Sequence, residues 1–286
     1  MAQVLGSTRR RSISNSMKPF LSVITVSLNA AETIGDTIAS VAMQRCDFEV
    51  EHVCVDGGSV DATRQIIDRC ALRSGRISRV YEPDSGIYDA MNKGLRTAAG
   101  EYVLFLNADD FLASETTVAT AMRHATPGAS GNPDLILGDV LMGPGDPGRV
   151  ETWRRRRVPR ILARHRGLGL FPIHQGIFAK RRMLEVAGGF DATLRLASDV
   201  NLFYDLERRF NPSLRITGEV VAFMRKGGSS NAGPRAMWLG TAECYRHLRR
   251  THGIARATAM VVVRTLQSAA ELRYGTCPQR RWFAAT

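Results

Sequence analysis

FLSVITVSL, residues 20–28, is an apolar, β-branched run without a single charge, closed by Asn29. A strand buried on both faces requires such a run, and strands of that kind belong to parallel sheets covered by helices. Directly after it, Ile34, Ile38 and Val41 recur at helical spacing. Outward from this pair the alternation repeats. EVEHVCV (49–55) reads as a second strand, followed by a glycine turn and a helix bearing Ile66, Ile67 and Cys70. RISRVY (76–81) is a third strand; Ile87, Ala90, Met91, Gly94, Leu95 and Ala98 then mark one helix face, with Gly100 placed to end that helix. YVLFL (102–106) is the fourth strand. The expected fold is therefore α/β: a Rossmann-like, mostly parallel sheet with helices on both faces.

Beyond Asp110 the pattern is less regular. DLILGDVLM (134–142) and GIFAK (176–180) read as strands, a short helix ends at Gly188-Gly189, and another starts near Ser198-Asp199. LRITGEVVAFM (214–224) reads as a late strand or strand pair, and Arg235 to Tyr274 as two helices. The expected organisation is a disordered basic tail over 1–17, one α/β domain over 18–232, and a C-terminal helical extension and tail over 233–286. No stretch approaches the roughly 20 apolar residues of a spanning helix, and residues 1–17 lack the apolar core of a secretory signal. Cys46, Cys54, Cys70, Cys244 and Cys277 form no C-x-x-C pair and read as free thiols of a reducing cytosol.

In open α/β sheets, ligands bind where loops leave the carboxyl ends of the strands. Acidic and glycine residues gather there, at Asn29, at Asp56 to Ser59, at Asp84 to Gly86 and at Asn107 to Asp110. In LNADD (106–110) two adjacent carboxylates follow a buried strand, where they repel one another and lose hydration. A Mg²⁺ or Mn²⁺ ion relieves both costs, because it is held by one or two carboxylates together with substrate phosphates. The competing explanation is a helix start, where Asp is favoured. In VCVDGGSVDAT (53–63), Gly57-Gly58 permits a sharp turn beside a ligand, and Ser59 or Asp61 is placed to cap the next helix.

Taken together, TVSLN (25–29), VDGGSVDAT (55–63), EPDSGIYDAMNKGLRTAAGEYVLFLNADD (82–110) and HQGIFAKRRMLEVAGGFDATLRLASDVNLFYDL (174–206) resemble inverting glycosyltransferases of family 2, with the GT-A fold. DSGIYDAMNKG ahead of LNADD is similar to bacterial enzymes of exopolysaccharide, lipopolysaccharide and glycolipid synthesis. The resemblance implies metal-dependent transfer of a sugar from a UDP- or GDP-sugar to a glycan or lipid-linked acceptor. It places Asp56 on the nucleobase with Thr25 and Asn29 beside it, and Asp84 along the donor. It puts Asp109 on the donor ribose or sugar and makes Asp110 the ligand of Mg²⁺ or Mn²⁺, with Asn107 replacing the acidic residue that often heads this motif. Glu32 is a further donor contact, although Asn29 to Glu32 also has capping-box spacing. The base that takes the acceptor's proton falls in LASDVNLFYDL, at Asp199, with Asp191 and Asp205 as weaker rivals; His174 and Gln175 face the acceptor. Lys93 and Arg96 read as solvated, and Gly227 to Ser230 as a flap or a connector.

A formal net charge of +12 calls for an anionic partner: a nucleoside diphosphate, a membrane or nucleic acid. WRRRR (153–157), with Arg160, Arg164 and Arg166, is either a solvated loop or an anchor to an anionic leaflet. Ile254, Met260 to Val263, Leu266 and Leu272, alternating with Arg256, Arg264 and Arg273, suit an interfacial helix. The expected location is the cytoplasm, peripheral on the inner face of the plasma membrane. Nucleic acid is disfavoured because Trp153 is the lone aromatic among the arginines. A dinucleotide-binding dehydrogenase is disfavoured because SLNAAE lacks G-x-G-x-x-G. The remaining alternative is a non-catalytic nucleotide-sugar-binding scaffold, against which Asp109, Asp110 and Asp199 argue.

Overall fold

β1 (Leu21–Ser27) is the hub of the sheet, and all seven of its residues are buried. In the computed structural model, which describes residues 18–143, 154–156, 173–225 and 234–274, β2 (Val50–Asp56) and β4 (Tyr102–Phe105) flank it in parallel, and β3 (Ile77–Tyr81) continues in parallel beyond β2. The crossovers are α1 (Ile34–Ala42), α2 (Thr63–Ser74) and α3 (Ile87–Thr97). Side chains alternate across a strand, so Leu21 and Val23 join one apolar layer while Ile24 and Val26 join the other, with Met91 and Leu95 of α3.

After β4 the chain forms β5 (Phe111–Leu112), α4 (Thr117–Met122), β6 (Leu135–Gly143), β7 (Arg154–Arg156) and β8 (Ile177–Lys180), the last entered through a 3-10 turn at His174–Gly176. α5 (Arg181–Ala187), α6 (Ser198–Phe210), β9 (Leu214–Arg225), α7 (Pro234–His252) and α8 (Ile254–Tyr274) follow. The sheet order is β3-β2-β1-β4-β8-β6-β9-β5, with β7 on β6. β8 is antiparallel to β4 and β6, whereas β9 is parallel to β6 and antiparallel to β5. β1, β2, β3, β4, β6 and β9 therefore run one way, and β5, β7 and β8 run back. β9 is one strand with irregular register against β6, not a strand pair.

This topology decides where chemistry gathers. The carboxyl ends of the six co-directional strands and the amino ends of β8 and β5 share one edge. That edge brings together the segments after β1, β2, β3 and β4, the His174–Gly176 turn and Arg225. α7 and α8 pack behind α6 through Ala197, Tyr204, Cys244, Leu248, Ala257 and Met260, and His247 pairs with Asp205 at 3.1 Å. The C-terminal helices thus share a core with α6 and are not a loose appendage. α3 ends at Thr97, and Gly100 lies beyond it, pressed against Ser22, so it is not the helix cap expected from sequence. Cys46, Cys54, Cys70 and Cys244 are free thiols. No helix among the described residues is long and apolar enough to cross a membrane. The expected tail over 1–17, the Gly227 to Ser230 flap, most of the arginine run and Cys277 lie outside the described residues.

Candidate active site

The acidic turn is built by its neighbours. Leu106 N donates to Ile24 O as the chain leaves the sheet, and Asp110 N closes the turn on Asn107 O at 3.0 Å. The buried Thr37 hydroxyl of α1 reaches the carbonyls of Ala108 and Asp110 at 2.9 and 2.7 Å. The chain then enters β5, so Asp109-Asp110 does not start a helix. The Asp110 side chain is buried: Oδ2 accepts from Gln175 Nε2 at 2.7 Å and Oδ1 from the Arg225 amide at 3.2 Å. Burial, then the adjacent Asp109, push its carboxyl well above the ordinary carboxylate value. Burial also raises Asp109. The Arg225 charge offsets this only in part, because its guanidinium pairs with Asp36 at 2.6 Å, donates to Asp109 O at 3.0 Å and lies over Phe111.

A buried carboxylate with a half-buried one beside it is a site that a cation would stabilise. Asn107 Oδ1 and Gln175 Oε1, both buried, have no hydrogen-bond partner. Hard oxygens of this kind suit Mg²⁺ or Mn²⁺. Among the described residues no three acidic, histidine or cysteine side chains converge, so the remaining ligands would have to come from substrate oxygens or water, as Mg²⁺ sites commonly arrange.

The loop after β2 holds the opposite wall. Asp56 Oδ1 accepts from the amides of Gly58 and Ser59 at 3.2 and 3.0 Å and from Arg64 Nε at 2.6 Å, and Oδ2 accepts from the Ser59 and Ser27 hydroxyls. Burial raises the Asp56 carboxyl, but the bonds from Ser59, Arg64 and Gly58 outweigh it and hold the group below its ordinary value. Asp56 is fully buried and held by its loop, and it does not line the cleft. Gly57 leaves room for the Asp84 carboxylate, which a Cβ there would displace, and Gly58 is favoured because its φ is +111°.

Asn29, at φ +51°, ties this loop to β1: its amide donates to Ser59 Oγ at 2.7 Å and its Oδ1 accepts from Val60 N at 2.9 Å. The capping-box reading therefore fails, since α1 begins at Ile34 and no side chain caps it. Glu32 is exposed and off the cleft wall. Thr25 is fully buried, off the cleft wall, with its hydroxyl 2.9 Å from His52 Nε2.

On the remaining side, Asp199 sits in the first turn of α6. Its Oδ1 accepts from Tyr88 OH and its Oδ2 lies opposite His174 Nδ1, each at 3.0 Å. Burial, then the Asp199 charge, push the Tyr88 phenol far up, so it stays protonated and donates. His174 Nε2 is buried without a partner. Neither rival acid enters the cleft: Asp205 pairs with His247, and Asp191 accepts from Thr193 in its own turn. Lys93, expected in solvent, is largely covered, donating to Pro83 O at 2.5 Å and pairing with Asp89 at 3.3 Å.

A cleft of about 520 Å³ runs along this edge, and Asn29, Asp84, Asp109, Asp110, His174, Asp199 and Arg225 line it. Gln175 stands behind the wall, on Asp110. Sequence reasoning missed Tyr88, Arg195 and Arg225, which also line the cleft. Of these, Arg225 had a signal, as the charge that closes the apolar run VVAFM.

The family model described as Glycosyl transferase family 2 matches residues 22–184, more than half of the chain. The chain belongs to this family. The PGL/p-HBAD biosynthesis glycosyltransferase of Mycobacterium tuberculosis is 34% identical over 221 residues, covering 74% of this chain and 80% of that protein. Two solved structures share the fold at low identity. The mannosyltransferase PcManGT of Pyrobaculum calidifontis, in complex with GDP-Man and Mn²⁺, has a TM-score of 0.59 at 20% identity, over 92% of this chain and 77% of its own. S. aureus TarS 1–349, in complex with UDP-GlcNAc, has a TM-score of 0.57 at 19% identity, over 89% of this chain and 73% of its own. The fold of this glycosyltransferase is GT-A, as its family resemblance implied.

Proposed function

We propose that this glycosyltransferase moves a hexose from a nucleoside-diphosphate sugar to a hydroxyl of a glycan or lipid-linked acceptor, with inversion, in bacterial surface polysaccharide or glycolipid synthesis. One observation carries the reading: the cleft holds the Asp109-Asp110 pair and also Asp199, a carboxylate aligned by Tyr88 and His174. Asp110, with Asp109 beside it, would hold Mg²⁺ or Mn²⁺, which when bound supplies the charge that lets a nucleoside diphosphate leave. The amino terminus of α3 opens onto the same cleft and favours negative charge there. Asn29 and Asp84 line the stretch of cleft assigned to the donor, while Asp56 acts at one remove by holding the loop.

Asp199 takes the proton of the acceptor hydroxyl as it attacks in a single displacement. Tyr88 and His174 fix its orientation, and His174 faces the acceptor. The name of the mycobacterial relative supports a glycolipid-type acceptor, and the ligands of the structural neighbours support a UDP- or GDP-sugar donor. Peripheral association with the inner leaflet of the plasma membrane would bring the cleft to a lipid-linked acceptor.

The test is a panel of UDP- and GDP-sugars with Mn²⁺ or Mg²⁺, read as release of the nucleoside diphosphate. The expected result is cation-dependent release with one donor. Full activity after complete chelation would overturn the metal assignment. Tight donor binding without any turnover, across acceptors, would favour the scaffold reading instead.

A further inference from the structure

Beyond the residues that the family model covers, the C-terminal helices reach back into the site through one side chain. Glu243 of α7 is only 5% exposed. Its Oε1 accepts from the Arg195 amide at 3.1 Å, and its Oε2 accepts from the Leu196 and Ala197 amides at 2.9 and 3.1 Å. These three residues lead directly into α6, which has no side-chain cap of its own at Ala197. Arg195 and Leu196 line the cleft, and Asp199 follows two residues after Ala197.

We propose that Glu243 is a positioning residue for the transfer reaction: it fixes the 195–197 loop and, through it, the Asp199 carboxylate and the cleft wall beside it. The proposal rests on the reading of Asp199 as base. The physical grounds are three. A buried carboxylate is costly unless hydrogen-bonded, and three amide donors offset that cost. The same amides, left without Glu243, would be unpaired donors at a helix start. An acidic group is also favoured at that end of the helix dipole.

α7 is held firmly enough to act as a brace. Gly240 lies against Leu196, where a Cβ would stand 3.5 Å from the Leu196 Cβ. Tyr204, Cys244 and Leu248 share a core with Ala257 and Met260 of α8. The first turn of α6 is therefore gripped from two sides, by Tyr88 and His174 in the cleft and by Glu243 behind it.

The experiment uses the full chain and its Glu243→Ala, Glu243→Gln and Asp199→Asn variants. Amide hydrogen exchange is followed over residues 195–201. Turnover of UDP-GlcNAc and of GDP-mannose with Mn²⁺ is measured per UDP-binding site. Glu243→Ala is expected to speed exchange over 195–201 and to lower kcat by about 10- to 100-fold, with donor KM and UDP affinity unchanged. Glu243→Gln keeps an oxygen for the Leu196 and Ala197 amides and is expected to recover most of kcat. Wild-type exchange in Glu243→Ala would overturn the proposal. So would a kcat per binding site that stays at the wild-type level while only thermal stability falls. Turnover retained by Asp199→Asn would instead defeat the base assignment and leave the exchange result to decide whether Glu243 clamps the loop. If neither donor is turned over, exchange alone decides.

Discussion

Asp110 is buried and Asp109 half-buried beside it, and burial raises both carboxyls, Asp110 further because of its neighbour. A raised folded-state value means that the native protein holds protons the unfolded chain has released. The cation-free protein should therefore lose stability as pH rises from the unfolded carboxylate value of about 3.9 through the raised values. A bound cation must displace those protons, so affinity for Mn²⁺ with UDP should climb with pH over the same window and then level off. Thermal melts from about pH 4 to about pH 8, with and without Mn²⁺ and UDP, measure both effects; a pH-independent response to Mn²⁺ would contradict the argument. Asp110→Asn should raise the melting temperature of the cation-free protein and abolish its Mn²⁺ response. At the other side of the cleft, Asp199→Asn should keep UDP binding and lower kcat by about 10²- to 10⁴-fold, the usual range for a general base. Unimpaired turnover would remove Asp199 from that role.

At the level of elements, the four parallel strands and their crossovers were legible because each strand is a continuous apolar run and each helix shows one apolar face. What escaped was set by side-chain bonds that no local sequence pattern marks. Asn29 to Glu32 has the spacing of a capping box, yet the Asn29 side chain is used on Val60, in another loop. The bonds that Gly58, Ser59 and Arg64 make to the Asp56 carboxylate were equally unmarked in the sequence. Lys93 looked solvated until the fold brought Pro83 and Asp89 to it. Glu243 had no local signal, because its partners lie 46 to 48 residues earlier. Gly94 shows the same dependence on context. Alanine is better than glycine in a helix by about 1 kcal/mol, but a Cβ at Gly94 would run into Ile24 of β1 and press on Val55. Overpacking costs about 1–3 kcal/mol and should win. Gly94→Ala is therefore expected to lower stability by up to about 2 kcal/mol in urea titration, and a gain would show that α3 can lift from the sheet.

For the whole molecule, the open matter is how a basic protein with no spanning helix among its described residues would meet a lipid-linked acceptor. The net charge of +12 supplies a long-range attraction to an anionic leaflet, with each nearby Lys or Arg worth roughly 1 kcal/mol. The helices that brace α6 also expose Met237, Ile254, Leu266 and, at 71%, Trp238. These two contributions respond differently to salt. The Debye length falls from about 30 Å at 0.01 M to about 3 Å at 1 M, which removes the charge contribution, whereas apolar insertion does not depend on screening. We therefore expect the full chain to bind phosphatidylserine-rich vesicles at low salt and to be released at high salt in sedimentation. Trp238→Ala should weaken binding at low salt without changing its salt dependence, since the charge is untouched and only apolar area is lost. No binding at low salt would defeat the membrane reading. Equal binding to neutral vesicles would show that the apolar faces act alone, leaving the +12 charge to serve the diphosphate.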